Sequence, residues 1–154
     1  MTESVSTSVA KAIERSLASI RTSAGYLTDC GQSVHRGWYA HAIDAQDVMF
    51  PLVAIQPDTE AVASVGGTGF SLKITDNYRI VVITDDAEHP ADVLKDCLAD
   101  IRRAFALNWD AEKKLIPGVR APEFGVAEFA IAADSPHTLA AVPVGISFNE
   151  KHEA

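Results

Sequence analysis

The chain reads as an α+β domain: a mostly antiparallel sheet flanked by two main helices, with a long projecting strand pair. Three observations predict this. Two amphipathic stretches with helical spacing, around 4–24 and 90–105, bracket the middle of the chain. Between and after them lie segments that alternate apolar and polar residues, the strongest being Leu72, Ile74, Tyr78, Ile80 and Val82 against Lys73, Thr75, Asn77 and Arg79. The resulting order (helix, short strand, strand, long strand, helix, strand, strand) suits helices packed on an antiparallel sheet.

Each element has its own signal. Val5, Val9, Ile13, Leu17 and Ile20 recur at steps of four and three, which predicts a helix from Ser4 to Ala24, with Gly25 as its C-terminal stop. Turn residues from Gly25 to Ser33 lead into a short strand over Ser33 to Trp38. Met49 to Gln56 reads as a strand that Pro51 weakens at its start and Pro57 ends. Residues 57–69 then read as a long connection, whose Gly66, Gly67 and Gly69 mark a loop tip. The alternating strand follows, with a bulge expected at Asp76-Asn77. Pro90 opens the second helix, and its stripe is Val93, Leu94, Cys97, Leu98, Ile101 and Phe105. Arg102 and Arg103 read as its last turn, where cations suit the helix dipole. After a Pro- and Gly-bearing loop, strands are expected over Phe124 to Ala132 and Leu139 to Phe148. Pro143 and Gly145 place the second of these at an edge or at an irregularity.

Composition bounds the function. At 154 residues, 47% apolar and 22% charged, the chain is of one-domain size and can bury roughly 70% of its unfolded surface. The whole length, 1–154, reads as one domain. No apolar run approaches the roughly 20 residues of a membrane helix, and no partner membrane is expected. The N-terminus lacks an apolar signal core, so synthesis in the cytosol is expected. Cys30 and Cys97 read as structural thiols. The net charge of −8 argues against tight binding to a phosphate backbone.

No catalytic constellation emerges. Gly66-Gly67-Thr68-Gly69 precedes a strand, whereas a phosphate loop precedes a helix and carries a Lys-Ser/Thr pair. No serine sits in a G-x-S-x-G or S-x-x-K setting. His35, His41, Asp44 and Asp47 form the one local group of metal-capable side chains, and the step of three from 41 to 47 would align them on a helix. They support an alternative reading as a small metal-dependent enzyme or ligand-binding domain. Arg36, Trp38, Tyr39 and Trp109 lie outside the main apolar stripes and are candidates for protein-interface anchors, with core filling the alternative for the aromatics.

The segment Gly25-Tyr26-Leu27-Thr28-Asp29-Cys30-Gly31, continued by Val34-His35-Arg36-Gly37, resembles the Gly-Tyr-x-Thr-Asp-x-Gly and Val-x-Arg-Gly pattern after the first helix of phage tail-terminator proteins. These are the tail-completion and minor tail proteins of long-tailed phages. Phe50-Pro51 with Val53-Ala54-Ile55, the helix ending Asp100-Ile101-Arg102-Arg103-Ala104, and Val142-Pro143-Val144-Gly145-Ile146 are similar in order and spacing. The resemblance runs from Ile13 to Phe148. It implies a virion protein made in the host cytoplasm that forms a ring, expected to be hexameric. The ring would end the tail tube, contact the tube protein and dock a neck or head-completion protein. DNA would pass through without specific binding, and no cofactor or turnover is implied. A neighbouring neck or minor tail component, such as a head-to-tail stopper, is the alternative within this class. The glycines at 66, 67 and 69 join Arg36, Trp38, Tyr39 and Trp109 as expected interface residues.

Overall fold

The computed structural model describes residues 3–45, 48–64, 70–132 and 136–152. Among these, helices α1 (Val5–Ala18), α2 (Tyr39–Ala42) and α3 (Pro90–Leu115) accompany strands β1 (Val34–Arg36), β2 (Leu52–Ser64), β3 (Phe70–Thr84), β4 (Glu123–Phe124), β5 (Glu128–Ile131) and β6 (Thr138–His152). The six strands form one sheet in the order β1-β2-β3-β6-β4, with β5 beside β4 on the same edge of β6. β1 runs parallel to β2, and every other pairing is antiparallel. The α+β architecture is therefore the one expected.

The main core lies between one face of the sheet and the helices α1 and α3. It joins Val9, Ile13, Leu17 and Ile20 to Leu98, Ile101 and Phe105 over Val53, Ile80, Val142, Ile146 and Phe148. A smaller cluster on the opposite face packs Ala42 and Ile43 against Leu52, Ala54, Val81, Ile83 and Leu139. Alternating side chains of β3 thus meet apolar groups on both faces near its C-terminal end, where residues 80–84 are all buried.

Several expected boundaries move, each for a local reason. The first helix ends at Ala18, and residues 22–24 make a separate 3₁₀ turn closed by Gly25 at φ 92°. Gly31 packs against the end of α1: its N–H donates to Ile20 O at 3.1 Å, and a Cβ there would lie 2.5 Å from Ile20 O and 2.7 Å from Leu17 O. Only glycine lets the chain come that close to the helix end. Pro57 does not end β2. The pairing with β3 instead shifts between Pro57 and Thr59, so the irregularity lies on β2 and not at Asp76-Asn77. Pairing with β1 stops at Ile55, so Pro57 sits where β2 is an edge strand and a missing N–H is tolerated. Residues 57–64 are accordingly strand and not connection.

The second helix continues past Arg103 to Leu115. Its apolar stripe passes through Trp109 and then reaches Glu112, a buried carboxylate held by Arg15 of α1 (Arg15 Nε to Oε1 3.1 Å, Nη2 to Oε2 2.6 Å). A charged residue on the inner face hides the periodicity from the sequence. The last strand is central rather than marginal, with β3 on one side and β4 and β5 on the other. It accommodates Pro143 because the neighbouring strand breaks there into β4 and β5; Gly125, within the break, donates its N–H to Pro143 O at 2.8 Å.

Candidate assembly interface

The motif-bearing segment after α1 proves to be a brace. Asp100, 1% exposed on α3, accepts from Leu27 N at 3.0 Å, Thr28 N at 2.7 Å and Thr28 Oγ1 at 2.7 Å. Asp29 Oδ1 accepts from Thr22 N at 2.7 Å and Thr22 Oγ1 at 3.0 Å, and these bonds hold its carboxyl below the usual range. Arg103 donates to Gly25 O at 2.8 Å, with its guanidinium 5.2 Å from the centre of the Tyr26 ring. Cys30 and Cys97 are both buried here as free thiols. A hydrogen bond with Cys30, together with burial, pushes the Cys97 thiol up, which keeps it protonated. Within the segment, Gly25, Leu27 and Thr28 therefore fasten the loop to α3, while Asp29 ties it back to Thr22.

The aromatic candidates divide. Trp109 is 3% exposed; its Nε1–H donates to Arg120 O at 2.9 Å and its ring meets Phe105 edge-on at 5.5 Å. It is a core residue that ties the 116–122 loop to α3, so it is not available as a surface anchor. Trp38 is 51% exposed. Arg36, also exposed, has its Nε 3.4 Å from Glu14 of α1. Tyr39 is half-buried against the smaller cluster. Gly66, Gly67 and Gly69 lie outside the described residues.

Arg36 and Trp38 line a cleft of about 320 Å³ together with Thr7, Ala10, Pro57 and Tyr78. A second hollow, of about 200 Å³, adjoins it and shares Ser6, Pro57 and Tyr78. Its walls are acidic, formed by Asp58, Glu60 and Asp76. Asp76 is buried and accepts from Ser6 Oγ at 2.5 Å. Its hydrogen bond and like charge raise the carboxyl of Glu60, its cross-strand neighbour, above the ordinary value. Burial and the same carboxylate push the Tyr78 phenol up.

The opposite edge of the sheet has a different chemistry. Every residue of β4 and β5 is exposed, including Phe124, Phe129 and Ile131. Between them, Val126 is 80% exposed. A groove of about 290 Å³ runs between β5 and the first turns of α3, lined by Pro90, Leu94, Phe129 and Ile131. Farther along α3, a hollow of about 280 Å³ is lined by Phe105, Trp109, Pro122 and Phe124, with Arg102, Lys113 and Asp110 around it. Alternation in the sequence suggests a strand here but cannot show that no further element covers it.

The metal reading loses its geometry. α2 ends at Ala42, so His41 and Asp44 do not share a continuing helical face; Asp47 lies outside the described residues. His35 sits on β1 beneath Gly37. Among the described residues, no group of three or more His, Cys, Asp or Glu side chains is placed to hold a metal ion. No helix among them is long and apolar enough to cross a membrane.

No family model matches the chain, and neither does any curated protein sequence. Among solved structures, the fold is similar to a chain in the virion of a native gene transfer agent (GTA) particle. The TM-score is 0.52 at 15% identity, covering 97% of this chain and 100% of that one.

Proposed function

We propose that this protein is a structural component of a phage-like virion and acts as a tail terminator. On this reading it is a ring-forming subunit, six to a ring, that ends the tail tube and offers its other face to the neck. One observation supports the virion assignment above all: the likeness to a chain of a gene transfer agent virion spans essentially the full length of both chains. The resemblance of Gly25–Gly37 and Val142–Ile146 to tail-terminator proteins narrows the assignment to the end of the tail. The two sheet edges add physical support. They are unlike, and a closed ring of more than two copies requires two different complementary patches on each subunit. An acidic chain, at −8, would also let DNA slide through a ring without adhering.

Particles produced without the protein test this directly. Overlong tails, or tails lacking heads, are expected under negative-stain microscopy. Tails of normal length joined to heads would refute the terminator role. Tails of normal length that lie separate from intact heads would instead assign the chain to the neck.

A further inference from the structure

Building on the ring assignment, we infer which surfaces meet. The Trp38 cleft and the acidic hollow beside it, on one edge of the sheet, receive the aromatic corner formed by α3 and β4 of the next copy, around which three cations are exposed. Three features lead to this pairing. The two sites flank opposite edges, with β1 and β4 separated by four strand spacings, about 19 Å. Each exposes a large ring beside a hollow: Trp38 at 51% on one side, Phe124 at 40% on the other. Their charges are complementary. Asp58 and Glu60 are exposed in the hollow adjoining the cleft, whereas Arg102 and Lys113 are exposed at the corner and Arg120 beside it, its backbone O bonded to Trp109, and none of these five forms an ion pair among the described residues. Two acids also stand at the corner, Asp110 on α3 and the exposed Glu123 beside Phe124 on β4, and Arg36, which lines the cleft, is engaged by Glu14.

A contact between unlike patches repeats head to tail and can close into a ring, whereas a cleft-to-cleft contact would stop at a dimer. Opposite charge around an aromatic centre steers the copies together and disfavours the like-to-like pairing.

The experiment measures self-association of the full chain by sedimentation, up to about 1 mM, where even weak contacts are populated. The variants are Asp58→Lys with Glu60→Lys at the cleft, and Lys113→Glu with Arg120→Glu at the corner. All four side chains are exposed, so the circular dichroism of each variant is expected to match the wild type and neither melting temperature is expected to fall, that of the cleft variant rising as Glu60→Lys removes the like charge beside Asp76. The wild type is expected to assemble, and each reversal alone is expected to weaken assembly by about tenfold or more. An equimolar mixture of the two variants is expected to regain assembly, because cleft and corner then complement each other in alternating copies. A wild type that stays monomeric, a reversal without effect, or a mixture that fails to recover would each overturn the pairing. The virion assignment is tested separately by microscopy of particles lacking the protein, so either result can stand without the other.

Discussion

Replacing Asp100 by alanine tests the brace that holds the first loop to α3. The carboxylate is 1% exposed and accepts three hydrogen bonds, two from backbone N–H groups that cannot turn away. Leaving a buried donor unmatched costs about 1–3 kcal/mol, and bonds to a charged acceptor lie toward the upper end. Leu27 is 63% exposed, so its N–H can recover part of its bond from water, and the Thr28 hydroxyl can rotate. The Thr28 N–H then carries most of the loss, and about 3–4 kcal/mol is expected in all. For a chain of this size, that is a fall of about 10 °C in melting temperature. Urea denaturation followed by circular dichroism measures the change, with the buried Trp109 as a second, fluorescent reporter. Asp100→Asn keeps one acceptor oxygen and should lose about half as much. Thr28→Val should lose about 1–2 kcal/mol, and less than additively when combined with Asp100→Ala because the two share a bond. A stability within about 0.5 kcal/mol of wild type for Asp100→Ala, the range of an ordinary surface change, would refute the brace.

Three further outcomes follow from the same geometry. Gly31→Ala should destabilise by about 1–3 kcal/mol or abolish folding, since its Cβ would press on three backbone carbonyls at 2.5 to 2.8 Å; chemical denaturation measures it. Trp38→Ala should leave unfolding within about 1 kcal/mol of wild type but weaken assembly, whereas Trp109→Ala should cost about 3–5 kcal/mol; melting and sedimentation together separate the roles. Glu60→Gln should raise the melting temperature near neutral pH and lose that advantage in acid. The Glu60 carboxyl is raised in the folded state, so the wild-type penalty appears as pH rises through its folded value and is absent below its ordinary value. A pH series of melting curves checks the sign, and a constant difference across the series would contradict the carboxyl pairing.

Much of the fold was legible from periodicity because spacing reports which side of an element meets apolar surface. The stripe Val9-Ile13-Leu17-Ile20 and the alternation from Leu72 to Val82 both face the main core as expected. The misread boundaries share one cause: at each, a long-range partner overrides the local signal. Glu112 continues α3 only because Arg15 reaches it, Pro57 continues β2 only because a bulge and a free edge absorb it, and Pro143 sits mid-sheet only because the strand beside it is broken. The sites followed the same pattern. Residue type marked Trp38 and Trp109 equally, and packing alone separates the exposed ring from the buried one.

By itself, then, the sequence determined the class of fold, the lack of a recognisable catalytic motif and the family-like segment around Thr28. It could not say that this segment is a brace, since hydrogen bonds from residues 27 and 28 to residue 100 leave no periodic trace. Nor could it place Asp58 and Glu60 on one edge and Lys113, Arg120 and Phe124 on the other. Sheet order decides that, because a surface patch is assembled from residues far apart in the chain, and their neighbourhood exists only once the strands have paired.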